Sequence, residues 1–251
     1  MPVQKYDTIG DSYNDVAQIT TGKLQLAAIQ SLIGDVKGLT ILELACGPGF
    51  YCRKAISWGA HHATGIDISP RMIEAARSSA KGDKRIEFHI ADCSQPLNIN
   101  VGQFDVVLAP WLLNYARNEQ ELIGMWRNIY NSLKPGGKVI GISPNLELLD
   151  DGPAAFPRER RFGQDLEVLG AIEDGGLEVR ATLYTSTPFS FTNYYLPRVL
   201  YERSCLLAGL RGFRWTSFAD EALLGDVDWD AFLTCPPFLT FTAVRPLDVL
   251  K

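Results

Sequence analysis

Histidine is scarce in this sequence of 251 residues, which has only three, all upstream of residue 90. None of them lies at an interval typical of metal ligands, and the five cysteines form no CxxC pair. This spacing supports neither a zinc site nor a disulfide framework. The sequence therefore predicts no bound metal and five reduced thiols.

Long apolar runs are also absent, and no stretch approaches the roughly 20 apolar residues of a membrane-spanning helix. The N-terminus is polar and shows no secretory signal pattern. A net charge of −5, from 24 Lys+Arg and 29 Asp+Glu, argues against a protein that coats nucleic acid or an anionic membrane. We expect a cytoplasmic protein, monomer or homodimer, with a small-molecule partner and with neither nucleic acid nor membrane as a partner.

Apolar strands alternate with amphipathic helices between residues 39 and 139, which is typical of a parallel sheet with helices on both faces. The pattern predicts helices at 51–58 and 119–133, and a third that begins at Pro70 with Ser69 as its N-cap. The predicted strands of this part are 39–44, 63–68, 86–91, 104–109 and 138–143.

The composition changes after Pro144, where residues 145–163 are rich in charged residues, proline and glycine and predict a loop or lid. Two strands at 177–187 and 189–195 flank Pro188 and predict a hairpin. A helix at 196–209 and strands at 213–218 and 238–244 follow. We therefore predict one domain over residues 1–251, with an N-terminal helical segment in 1–38 and a cap or lid inserted at 145–195.

The most informative segment is residues 41–50, in which a short apolar strand runs into Gly47 and Gly49. Glycines after a first parallel strand let a ligand approach the backbone closely. The GxGxxG dinucleotide pattern needs a third glycine at position 52, which is Cys52 here. Glu43 ends the first strand, and Asp67 lies where an acidic residue accepts ribose hydroxyls. These residues favour a ligand with a ribose and a cation, such as S-adenosylmethionine.

Four segments together resemble the class I S-adenosylmethionine-dependent methyltransferases. They are residues 43–49, 65–69, 91–92 and 133–137, in the family's order and spacing. The resemblance implies an α/β, doubly wound, mostly parallel seven-stranded sheet with a small inserted cap. Tyr6, Tyr13 and residues 191–195 also resemble small-molecule members of the family, including toxoflavin-type N-methyltransferases.

The resemblance implies S-adenosylmethionine as cofactor and assigns a set of residues to it. Ala45 departs from the glycine that is usual at its position, and its methyl group is expected beside the bound methionine moiety. Met72 is open to a second interpretation as a core residue, Asp92 as a turn former and Asp67 as a helix cap. The residues assigned to the cofactor are Tyr6, Tyr13, Glu43, Ala45, Gly47, Gly49, Asp67, Ile68, Met72, Asp92, Cys93 and Pro110.

The acceptor is expected beside the end of the fourth strand and under the cap, where histidine is absent. We therefore expect methyl transfer by in-line displacement with mainly proximity catalysis, to an oxygen or nitrogen of a planar metabolite. Tyr115, Tyr194 and Tyr195 are the candidate bases. The alternatives are an NAD-dependent oxidoreductase and a catalytically silent protein that binds S-adenosylmethionine. The expected acceptor residues are Trp111, Asn114, Tyr115, Phe191, Asn193 and Tyr194.

Overall fold

The computed structural model describes residues 15–150, 156, 162–216 and 229–248. Its main sheet has seven strands in the order β3-β2-β1-β4-β5-β10-β9. Strands β1 to β5 run parallel, and β10 runs antiparallel to both β5 and β9. The strands are β1 (Thr40–Leu44), β2 (His62–Asp67), β3 (Ile86–Ile90), β4 (Phe104–Pro110), β5 (Leu133–Pro144), β9 (Arg211–Thr216) and β10 (Phe238–Val244). The predicted fold class is confirmed.

Helices cover both faces of the main sheet, which explains why the inner strands are apolar throughout. One face packs against α1, α2 and α3, and the other against α4 and α5. No helix of the described part is long and apolar enough to cross a membrane. The helices are α1 (Thr20–Ile33), α2 (Phe50–Ser57), α3 (Pro70–Ser79), α4 (Glu119–Ser132), α5 (Arg198–Leu207) and α6 (Trp229–Thr234).

Local sequence signals explain where several of these elements begin. Ser69 caps α3 as predicted, because its hydroxyl accepts a hydrogen bond from the Met72 amide at 3.2 Å. Asn118 caps α4 in the same way through the amide of Glu121. The fifth strand begins at Leu133, five residues earlier than predicted, because the chain passes directly from α4 into the sheet. Helix α6 has no counterpart among the sequence predictions.

A second sheet of three antiparallel strands lies between β5 and α5 in the chain. Its strands are β6 (Gln164–Ala171), β7 (Leu177–Leu183) and β8 (Phe189–Tyr195), in the order β6-β7-β8. The hairpin of β7 and β8 agrees with the sequence prediction, with β7 ending four residues sooner. Strand β6 was missed, although Gln164 and Leu166 are buried and the residue between them is not. We call this element the inserted sheet.

Phe88 on β3 packs closely against the backbone of β2 at Gly65. A Cβ atom at Gly65 would lie 2.7 Å from the Phe88 ring and 2.8 Å from the Cys46 sulfur. Such distances force neighbouring groups to move, and the Phe88 ring and the Cys46 thiol are themselves buried. Glycine at this position therefore sets how tightly β3 packs beside residues 45–49, which we call the glycine turn.

Gly65→Ala should lower the free energy of unfolding by about 1–3 kcal/mol, because the added methyl group overpacks the interior. Gly124→Ala is the matched control, since its Cβ meets nothing closer than the Ser94 carbonyl oxygen at 3.8 Å in helix α4. That change should raise stability by up to about 1 kcal/mol through helix propensity. Urea denaturation of both variants measures the difference, and equal effects would contradict the packing argument.

Candidate functional site

A cavity opens at the carboxyl edge of the main sheet, where ligands bind in open α/β folds. It measures about 880 Å³, counting space open to solvent, and lies between the ends of β1 and β4, the glycine turn and α1. We call it the cofactor cavity. Its lining residues are Val16, Ala17, Gln18, Gly22, Gln25, Glu43, Ala45, Cys46, Pro48, Phe50, Tyr51, Arg53, Pro110 and Trp111.

The glycine turn has left-handed backbone at three positions. Gly47 and Gly49 have φ angles of 50° and 71°, which glycine adopts without steric cost. Ala45 also has a positive φ angle, 57°, which costs a residue with a Cβ roughly 1–2 kcal/mol. The backbone angle at residue 45 therefore gives a physical reason for the glycine that resembling sequences carry there.

Among the described residues that line the cofactor cavity are one carboxyl group, that of Glu43, and one guanidinium, that of Arg53. Glu43 is buried and accepts a hydrogen bond from the Cys52 amide at 2.8 Å. Burial raises the pKa of Glu43 to about 7, and the nearby Arg53 guanidinium partly opposes this. Arg53 lies on α2, just after the glycine turn, and is not among the cofactor residues predicted from the sequence. A carboxyl and a guanidinium in one cavity match the ammonium and carboxylate of an amino acid.

Asp67 at the end of β2 is tied to the glycine turn. One of its carboxylate oxygens accepts from the Gly47 amide at 2.8 Å, and the other accepts from the Ser69 amide at 2.9 Å. These bonds fix the orientation of the carboxylate at the strand end. Ile68 and Met72 follow at the start of α3, with Met72 buried and Ile68 half-buried.

The predicted adenine contacts lie after β3, on the same edge of the sheet. Asp92 is half-buried, and its side chain accepts hydrogen bonds from the amide and hydroxyl of Ser94. Asp92 therefore forms a turn, which was the alternative interpretation of this residue. Cys93 is buried, and burial raises its pKa to about 12, so its thiol stays protonated. Tyr6 and Tyr13 lie outside the described residues.

A second cavity lies between the end of β4, α1 and the inserted sheet. It measures about 530 Å³ including its open mouth, and we call it the acceptor cavity. It shares Val16, Gln25 and Trp111 with the cofactor cavity, so the two cavities adjoin. Its other lining residues are Ile19, Thr21, Tyr115, Gln164, Leu166, Ala181, Leu183, Phe191, Asn193, Tyr195 and Pro237.

Trp111 stands at the boundary of the two cavities. Its φ angle is 60°, which is rare for a bulky residue and typical of functional sites. Its amide donates to the Ile142 carbonyl at 2.9 Å, and its indole N–H donates to the Gln25 side-chain oxygen at 3.0 Å. Gln25 is not predictable from the sequence, because nothing in the sequence connects this helical residue with a strand end 86 residues away.

The structure brings some of the predicted acceptor residues together and not others. Trp111, Tyr115, Phe191 and Asn193 line the acceptor cavity, together with Tyr195, which was predicted only as a base. Asn114 is buried but is not part of the lining.

Tyr194 is absent from the lining of the acceptor cavity, because alternate residues of a strand face opposite sides. This position does not suit the predicted role of Tyr194 in binding the acceptor or acting as a base.

The two tyrosines of the acceptor cavity are poor bases. Burial raises the pKa of Tyr115 and of Tyr195 well above the ordinary value for a phenol. Both hydroxyls therefore stay protonated near neutral pH. Within the described ranges, no cluster of three or more His, Cys, Asp or Glu residues is arranged to hold a metal ion.

Sequence comparison identifies relatives of this chain. Residues 41–137 match a family described as a methyltransferase domain. Demethylmenaquinone methyltransferase from Lactococcus lactis is 30% identical over 175 residues, which cover 66% of this chain and 67% of that protein. Ribosomal protein L11 methyltransferase from Pectobacterium atrosepticum is 32% identical over 123 residues, covering 48% of this chain and only 38% of that protein.

Structural comparison shows the same fold in solved methyltransferases. An S-adenosylmethionine-dependent methyltransferase from Mesorhizobium loti has a TM-score of 0.64 at 20% identity, covering 88% of this chain and 98% of that one. The CcbJ methyltransferase from Streptomyces caelestis has a TM-score of 0.63 at 14% identity, covering 98% and 100%.

These relatives decide between the two enzyme classes considered from the sequence, a methyltransferase and an NAD-dependent oxidoreductase. The alternative of an NAD-dependent oxidoreductase is wrong, because the matched family and the relatives are methyltransferases. S-adenosylmethionine suits this site. Its features are the glycine turn, the acidic residues at the strand ends, and the Glu43 carboxyl and Arg53 guanidinium in one cavity. The chain belongs to the class I S-adenosylmethionine-dependent methyltransferases.

Proposed function

We propose that this methyltransferase acts on a small organic molecule held in the acceptor cavity. The observation that carries the proposal is the shared wall of Val16, Gln25 and Trp111 between the two cavities. A molecule in the acceptor cavity adjoins the cofactor cavity there, and the inserted sheet covers it. A toxoflavin-type substrate, the cytoplasmic location and the monomeric or dimeric state stay predictions.

The relatives favour a small molecule over a protein as substrate. The Lactococcus relative, matched over 67% of its length, is named for demethylmenaquinone. The Pectobacterium relative named for ribosomal protein L11 is matched over only 38% of its length, so most of that protein has no counterpart in the match. The inserted sheet supplies half of the described lining of the acceptor cavity, which supports a role for it in selecting the acceptor.

Several residues are proposed to hold the cofactor. Glu43 and Arg53 face its amino-acid end in the cofactor cavity, where they match the ammonium and the carboxylate. Asp67 accepts the ribose hydroxyls, since Gly47 and Ser69 already orient its carboxylate. The remaining proposed contacts are Ala45, Gly49 and Pro110 beside the turn, and Ile68, Met72, Asp92 and Cys93 around the adenine.

The catalytic contribution of the chain is mainly positional. When bound, S-adenosylmethionine supplies an electrophilic methyl group on a sulfonium. Trp111 and Gln25 form the wall between the two cavities, so they set the distance and direction of approach of the acceptor. Holding two reactants in line lowers the barrier by roughly 7–11 kcal/mol without an acid or base. This route suits a cavity whose tyrosines stay protonated.

Deuteromethyl-labelled S-adenosylmethionine tests the proposal directly. The protein is incubated with a cell extract separated into small molecules and macromolecules, and mass spectrometry follows the label. We expect a labelled product in the small-molecule fraction. Label only in protein or RNA would contradict a small-molecule substrate, and no transfer to any fraction would favour a catalytically silent binding protein.

Cofactor binding should release a proton near neutral pH. Glu43 is largely protonated below its pKa of about 7, and the cofactor's ammonium favours the ionised form. Affinity should therefore rise with pH through about 7, and binding at about pH 6 should release protons. Isothermal titration of S-adenosylmethionine in two buffers of different ionisation enthalpy measures the release. Glu43→Gln should abolish it, and a release unchanged in this variant would contradict the contact.

Asp67→Ala should weaken binding of S-adenosylhomocysteine by at least about tenfold, through loss of the ribose contacts and of the bond to Gly47. Asp83→Ala is the matched control, because Asp83 pairs with Arg85 and precedes β3, at the opposite end of this strand from the carboxyl edge of the sheet. Its affinity should equal that of the unchanged protein. Equal affinity in both variants would contradict the role of Asp67.

A further inference from the structure

Among the residues that the structure describes, those that line the acceptor cavity carry no charged side chain. Its polar groups are carboxamides and hydroxyls, from Thr21, Gln25, Gln164, Asn193 and the two tyrosines. Building on the proposed function, we propose that the acceptor is an uncharged planar molecule. It donates an N–H or O–H hydrogen bond to Asn193 and is methylated on a neutral nitrogen.

Asn193 carries the hydrogen-bonding part of the proposal. It is only 2% exposed, and its side-chain oxygen is buried without a hydrogen-bond partner. A buried carbonyl oxygen left unpaired is costly, and an unpaired one in a native site needs an explanation. Asn193 lines the acceptor cavity between Phe191 and Tyr195 on β8. A ligand that brings an N–H or O–H donor into the cavity satisfies this oxygen.

The lining also selects against charged acceptors. A carboxylate or a thiolate that enters the cavity gives up its hydration, and the described part of the wall offers it no lysine, arginine or histidine. Aromatic rings from Trp111, Tyr115, Phe191 and Tyr195 contribute to the lining instead, and they suit a flat apolar ring system. The walls therefore favour a neutral, planar acceptor.

The absence of a base among these residues points to nitrogen. A neutral hydroxyl must lose its proton to become a good nucleophile, and the tyrosines here are held protonated. A neutral amine or pyridine-type nitrogen already has an available lone pair, whereas an amide-type N–H nitrogen does not. That lone pair forms the new N–C bond while the C–S bond breaks and its electron pair stays on sulfur. The product nitrogen becomes cationic, and an N–H acceptor then loses its proton to water.

A binding series tests the proposal separately from the proposed function. The protein is first saturated with S-adenosylhomocysteine, which is verified by titration. Pyridone, quinolone and uracil are then titrated, each beside its N-methylated and its carboxylated analogue, by ligand-observed NMR. We expect the N–H compounds to bind at least about tenfold more tightly than both analogues. Tighter binding of the carboxylates, or no preference for the N–H compounds, would overturn the proposal.

Variants of Asn193 locate the contact. Asn193→Leu removes the acceptor oxygen and should abolish the preference for N–H compounds, whereas Asn193→Asp keeps an acceptor and should retain it. Thr192→Ala, one residue along β8 and outside the cavity lining, is the matched control and should behave like the unchanged protein. A preference that survives in a correctly folded Asn193→Leu protein would overturn the contact.

Two results separate the inference from the proposed function. Failure of S-adenosylhomocysteine to bind would contradict the cofactor cavity itself, whereas normal binding without selectivity would overturn only the inference. The labelled product of the extract experiment gives a second readout, since NMR shows which atom carries the new methyl group. A methyl group on nitrogen supports the proposal, and one on oxygen or carbon contradicts it.

Discussion

The hydrogen bond between the Asp67 carboxylate and the Gly47 amide holds the cofactor end of the site together. It joins the turn after β1 to the end of β2, two segments 20 residues apart. The Cys46 amide joins the same two segments by donating to the Ile66 carbonyl at 2.9 Å, and the Ser69 amide holds the other oxygen of the Asp67 carboxylate. The Asp67 carboxylate thus holds the turn in place, and its two hydrogen bonds fix its own orientation.

The rest of the site is built from parts that are remote in the chain. The main sheet supplies Glu43 and Trp111, α1 supplies Gln25, and the inserted sheet supplies Asn193. The edge of the main sheet forms the cofactor cavity. The inserted sheet, by contrast, contributes only to the acceptor side. Under the proposed function, a change of acceptor can arise from substitutions on β6 to β8 that leave the cofactor cavity intact.

The parts of the fold and of the site that the sequence predicts are those that depend on interactions between residues close together in the chain. Ser69 was identified as a cap because its partner is three residues away, and the strands β1 to β5 carry strong local patterns. Gln25 and Arg53 were not predicted, because they belong to no recognisable motif. Their role follows from their position in the lining of the cofactor cavity. Strand β6 was missed because its alternation of buried residues is short. Tyr194 was chosen by residue type, while the pleat of β8 decides which side chains reach the cavity.

Helix α1 is bonded to both halves of the site. Its Thr21 hydroxyl donates to the Phe162 carbonyl, just before the inserted sheet, and its Gln25 accepts from Trp111 at the end of β4. A ligand that shifts this helix changes the wall of both cavities at once. Cofactor and acceptor affinities are then coupled, and by thermodynamic linkage each ligand alters the binding of the other by the same factor. Through Gln25, this one helix physically connects the two cavities.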